Sequence, residues 1–171
     1  MRQPTIARAS TTLELNPLRK AITDEAKSWI RTPYHDHAGI KYVGVDCFYL
    51  PCRVLQAVDL IPKEFEPPKY SPQQWLNSPA QIDKLHLRVE DTTALDVVKQ
   101  FCVREVLESE VLPGDLVVYK IVSSWTHGAI IISWPDHIIH AVKGLGVIGS
   151  HGTKEGFCVN LQRRFFTFVK D

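Results

Sequence analysis

Behind Asn16-Pro17, apolar residues recur at helical spacing at Leu18, Ile22, Ala26, Trp29 and Ile30. A capping asparagine followed by proline at the first helical position marks the start of that helix. Pro33 sets its expected end, because a residue preceding proline avoids the α region. A loop over 34–45 carries Gly39 and Gly44, and Leu50, Val54, Leu55 and Val58 then predict a second helix beginning at Cys47. Pro51 has no N–H to donate, so the first turn of that helix is expected to be deformed. Five prolines (62, 67, 68, 72 and 79) make 61–80 an irregular surface excursion with at most a short helix over 72–76. Leu95, Val97 and Val98 predict a third helix, capped by Thr92 or Thr93 and running to about Gln100.

Beyond Val103 the pattern changes to short β-type runs at 114–120, 127–133, 138–143, 146–148, 157–161 and 165–170. Turn residues such as Trp134-Pro135-Asp136 and His151-Gly152-Thr153 separate them, which predicts an antiparallel meander. Helices first and strands afterwards is an α+β pattern. With 171 residues the expectation is one domain over 1–171 with a sizeable core, and 1–15 as an extended or loose lead-in.

Charge narrows the partners. Twenty Lys and Arg against 19 Asp and Glu exclude a strongly basic nucleic-acid footprint, and Gln162-Arg163-Arg164 is the one local hint of a basic patch. No run approaches the ~18–20 apolar residues of a membrane span. The N-terminal stretch has basic residues but no continuous apolar core, so synthesis in the cytoplasm without a secretory signal is expected. Cys47, Cys52, Cys102 and Cys158 show no dense disulfide spacing and are expected to be reduced. Cys102 and Cys158 lie in apolar strings and read as buried small hydrophobes.

Cys47 differs, with polar and glycine-rich residues before it and an apolar helix after it. Attack requires a thiolate, and the N–H groups and dipole of a helix start favour that anion. His127 is the candidate base, and an imidazole acting as a base needs a partner on its second nitrogen to fix its tautomer. His140 can supply that partner, because His127 and His140 fall on consecutive runs that adjacent antiparallel strands would bring side by side. His35, Asp36 and His37 lack a paired ligand motif, so no metal site is expected there.

Five segments carry a resemblance: Trp29-Ile30-Arg31-Thr32-Pro33-Tyr34, Val43-Gly44-Val45-Asp46-Cys47, Pro113-Gly114-Asp115-Leu116-Val117-Val118-Tyr119, His127-Gly128-Ala129-Ile130 and Ile139-His140-Ala141. In this order they resemble the NlpC-type cysteine peptidases, papain-like cell-wall hydrolases, from about residue 17 to the C-terminus. Thr32-Pro33-Tyr34-His35 through Asp46-Cys47 is most similar to the branch found in phage tails and related transfer particles. The resemblance implies Cys47 as nucleophile, His127 as base and His140 as the orienting third member. It implies Tyr34 near the thiol or oxyanion, and Asp46 as an anchor for the free amine of a peptide stem. The implied reaction is amide hydrolysis in peptidoglycan stem peptides through a thioester acyl-enzyme, commonly between D-glutamate and a diamino acid, without metal or cofactor. The implied partners are those stem peptides and particle proteins, and the implied destination is a particle or the cell wall.

Phe48 and Tyr49 depart from the small residues that usually follow the family's cysteine. Bulk there would narrow the cleft, which leaves a non-catalytic module binding cell wall or tail partners as an alternative. A thiol acyltransferase or lipid deacylase on a similar scaffold is a third reading.

Overall fold

The computed structural model describes residues 16–68, 93–121, 124–154 and 156–171. The expected lead-in over 1–15, the short helix over 72–76 and a cap at Thr92 lie outside the described residues.

The Asn16 side chain accepts the Leu18 N–H at 2.9 Å and opens α1 (Pro17–Ser28), which buries Ile22 and Ala26. This helix stops before Pro33. Arg31 takes a left-handed φ of 74°, its N–H donates to the Val147 carbonyl, and the Val147 N–H donates to the Thr32 carbonyl. Those strand-like bonds pull 31–32 out of helical geometry, so Ile30 ends 37% exposed rather than on the buried face. The short pair β1 (Gly39–Ile40) and β2 (Gly44–Val45) follows. Next comes α2 (Tyr49–Ala57), and after the prolines α3 (Thr93–Phe101), which buries Ala94, Leu95, Val97 and Val98.

Six strands make one antiparallel sheet: β3 (Arg104–Val106), β4 (Leu116–Ile121), β5 (Ser124–Ser133), β6 (His137–Val142), β7 (Gly146–Ser150) and β8 (Arg163–Thr167). The order β3-β8-β4-β5-β6-β7 contains the expected meander from β4 to β7, but the last strand returns to pair with β3 and β4. The run over 157–161 is not a strand: Gly156–Cys158 is a 3-10 turn. Apolar character there reflects Cys158 buried against Val117, Tyr119, Ala129 and Ile131 on one sheet face. Alternation splits the strands between two cores, with Leu116, Val118, Ile130 and Ile139 on the face that packs the helices. Three helices on this sheet make the fold α+β.

The Pro113-Gly114-Asp115 turn fixes α1 to the sheet. Arg19, 2% exposed, donates to the Asp115 carboxylate at 2.8 Å and the Pro113 carbonyl at 3.0 Å. It also donates to the Thr167 hydroxyl at 3.0 Å and to the Asp171 carboxylate. Gly114 has φ 88°, and a Cβ there would lie 3.3 Å from the Arg19 Cα. Removing Asp115 would leave this buried cation only the more exposed Asp171 carboxylate and deprive the Leu112 N–H of its acceptor. Asp115→Ala is expected to lower the unfolding free energy by about 3 kcal/mol. Lys20→Ala, at an exposed pair with Asp24, should change it by less than about 1 kcal/mol. Urea unfolding of both variants checks the contrast, and equal effects would contradict it.

Candidate active site

The segment before Cys47 is held in place by its neighbours. The Thr32 hydroxyl accepts the Tyr42 N–H at 3.1 Å, the Pro33 carbonyl accepts the Val45 N–H at 3.0 Å, and Tyr34 bridges Val45. Asp46 then turns the chain into α2. One of its carboxylate oxygens accepts the Phe48 and Tyr49 N–H groups at 2.9 and 2.7 Å, and the other accepts the His37 N–H at 2.8 Å. Asp46 is fully buried. The expectation that it anchors a substrate amine therefore meets a carboxylate enclosed in the protein and occupied as a helix cap.

Pro51 deforms the first turn as its chemistry requires. The Leu50 N–H donates to the Asp46 carbonyl at 3.0 Å, but Pro51 has no N–H for the Cys47 carbonyl, and the regular helix starts only at Tyr49. This loosened turn packs directly on β5. A Cβ on Gly128 would lie 2.9 Å from Pro51 Cγ and 3.2 Å from the Cys47 carbonyl oxygen, so glycine permits the approach. The thiol of Cys47 donates to the Thr126 carbonyl at 3.6 Å, against the residue that precedes His127.

Phe48 and Tyr49 do not fill the cleft. Phe48 is buried with Cys52, Ala94 and Val97 between α2 and α3. Tyr49 is 7% exposed, and its hydroxyl donates to the Pro67 carbonyl at 3.3 Å. The open cleft, about 250 Å³, is lined by Tyr34, Cys47, Ile121, His127, Ala141, Val142 and Lys143. At its rim the Tyr34 hydroxyl donates to Asp36 at 3.2 Å, and the Lys143 ammonium sits 3.4 Å from the same carboxylate.

Pairing of β5 with β6 places Ile130 opposite Ile139, so His127 and His140 lie on a diagonal of one sheet face. Their rings meet with His127 Nε2 and His140 Nδ1 2.9 Å apart. The strand alternation thus brings together the two histidines that the sequence singled out, and His127 of the pair also lines the cleft that Cys47 lines. Two further groups were not legible in the sequence. Ser150 Oγ lies 2.8 Å from His140 Nε2, a contact that depends on the register of β7 on β6. Cys158, far along the chain, completes with the two imidazoles a group whose ligating atoms all fall within 4.8 Å of one another.

Burial dominates the electrostatics. It pushes the Cys47 thiol well above its ordinary range, and the Asp46 charge adds to the shift. The thiol's own backbone N–H and the Tyr34 hydroxyl draw it back only in part. Burial, reinforced by His140, holds His127 well below the usual imidazole range, and burial lowers His140 to about 4. The sequence predicts a thiolate at a helix start, whereas burial favours the neutral forms of the thiol and of both imidazoles. Burial first, and the capping charge of Asp46 after it, outweigh the expected effect of that helix start on Cys47.

The NlpC/p60 domain of the peptidoglycan hydrolase SagA, known from a crystal structure, matches this chain with a TM-score of 0.53 at 19% identity. The match covers 88% of this chain and 97% of that one. No family model matches the chain, and no curated protein matches it by sequence. The likeness is one of fold, and the chain has the papain-like α+β fold of NlpC/p60 domains.

The depressed histidines give stability a pH dependence. Between the ordinary value of 6.5 and about 4, the unfolded chain binds a proton at His140 that the folded chain does not. Its contribution is therefore complete above pH 6.5 and is lost as the pH falls toward 4, about 3 kcal/mol from this residue. The unfolding free energy should fall accordingly from pH 7 to 4, and His140→Asn should reduce that fall. An undiminished fall in His140→Asn would contradict the assignment.

Proposed function

We propose that this chain is a cysteine peptidase that hydrolyses amide bonds in peptidoglycan stem peptides, with Cys47 as nucleophile, His127 as general base and His140 as orienting partner. The observation that carries the reading is the Cys47 thiol lining one cleft with His127, whose Nε2 is hydrogen-bonded to His140, on an NlpC/p60 fold. The peptidoglycan substrate follows the hydrolase whose domain shares the fold and the resemblance in the sequence. Association with a phage tail or transfer particle rests on the residues from Thr32 to Cys47 alone.

In the first half-reaction the Cys47 S–H proton passes to His127 Nδ1 as sulfur bonds to the scissile carbonyl carbon. Negative charge develops on the carbonyl oxygen, to which the Cys47 N–H would donate, joined by the Tyr34 hydroxyl once it turns from Asp36. His127 then gives its proton to the departing amine nitrogen, the C–N bond breaks, and a thioester remains. Water attacks that thioester and gives a proton to His127. Collapse expels the Cys47 sulfur, which regains the proton, and the free carboxylic acid leaves. His140 on the second nitrogen of His127 holds the ring through both transfers.

A non-catalytic module was motivated by bulk at Phe48 and Tyr49, but both side chains pack into the protein and away from the cleft. Purified muropeptides incubated with the protein and analysed by mass spectrometry test activity and the cut bond together. The expected products differ from substrate by one water across a stem-peptide amide. Cys47→Ala should lower their rate by at least about 10³-fold while the thermal unfolding transition persists. Unchanged cleavage by Cys47→Ala, or intact muropeptides with the unaltered protein, would refute the reading.

A further inference from the structure

We propose that Ser150 is a fourth, positioning member of the site, and that its hydroxyl oxygen selects the proton register of the two histidines. The inference rests on the hydrolase reading above and extends it by one residue.

One proton occupies the 2.9 Å contact between His127 Nε2 and His140 Nδ1, so two neutral registers exist. In the first, His127 Nε2–H donates to His140 Nδ1, and His140 carries its own proton on Nε2, directed at Ser150 Oγ 2.8 Å away. His127 Nδ1 then has a lone pair and can take the thiol proton. In the second, the Ser150 hydroxyl donates to His140 Nε2, His140 Nδ1–H donates to His127 Nε2, and the His127 proton sits on Nδ1. A base in that register has nothing with which to accept. When His127 becomes an imidazolium, its Nε2–H again points at His140 Nδ1 and the His140 proton again points at Ser150. Both states that turnover uses therefore need an acceptor on His140 Nε2.

Ser150 is built to be that acceptor. It ends β7 opposite Ile138, two residues before His140 and on the same face of β6. It is only half-buried, so its hydroxyl proton can turn toward solvent while the oxygen accepts. Alanine would orphan the His140 Nε2–H in the first register but only an acceptor nitrogen in the second, the less costly loss, and so shift the pair toward the second register.

Nitrogen-15 NMR of the histidine rings reads the register directly, independently of turnover. In the unaltered protein the His140 proton is expected on Nε2. Ser150→Ala should shift it toward Nδ1 and lower kcat for muropeptide hydrolysis about tenfold with KM within about twofold. Ser150→Thr, which keeps the hydroxyl, should restore both. A His140 proton on Nδ1 in the unaltered protein, or a Ser150→Ala protein with unchanged register and kcat, would overturn the inference. A protein that cuts no muropeptide but shows the expected registers would refute the hydrolase reading while upholding the role of Ser150 in setting the register.

Discussion

The close packing of the start of α2 on β5 is the constraint on which the rest of the site depends. Gly128 lets Pro51 and the Cys47 carbonyl approach the strand, and that approach sets the thiol against the Thr126 carbonyl, one residue from His127. A side chain at 128 would separate the two elements and with them the thiol and the Thr126 carbonyl. Several other features serve the same contact. The Asp46 cap turns the chain into α2, the strand bonds of 32–35 fix β2, and Arg19 holds α1 against the sheet.

A site assembled this way has an electrostatic consequence. Drawing the nucleophile into the protein removes water from both thiol and imidazole, and desolvation disfavours both charged forms. The carboxylate that caps the helix adds a negative charge beside the sulfur. The base therefore rests neutral and ready to accept a proton, and the thiol rests protonated. In the proposed reaction, charge would then develop only as a substrate carbonyl is attacked.

Much of this was legible in the sequence, because periodicity and local chemistry determine it. Asn16-Pro17 announces α1, the apolar spacing of Leu50, Val54 and Leu55 announces α2, and Pro51 announces the loosened turn after Cys47. His127 and His140 could be paired in advance because consecutive antiparallel strands put them within reach. What depended on long-range pairing was not legible. Nothing local shows that β8 returns beside β4, that Cys158 sits in a 3-10 turn rather than a strand, or that Ser150 meets His140. The early end of α1 likewise comes from bonds between 31–32 and Val147, more than 100 positions away in sequence. Side-chain direction was also hidden. Phe48 and Tyr49 look obstructive beside Cys47 in sequence, yet a helix turns successive residues to different faces and both point into the packing.

The central claim is that Cys47 rests as a neutral thiol in the cleft it shares with His127, because burial and the Asp46 charge outweigh the helix start. The rate of Cys47 alkylation by a small uncharged reagent, followed from pH 4 to 11 by mass spectrometry of the Cys47 peptide, tests it most directly. The account predicts slow alkylation at neutral pH and a rate that keeps rising into the alkaline range. A plateau of fast alkylation from about pH 5 to 8, the signature of a preformed thiolate–imidazolium pair, would contradict it.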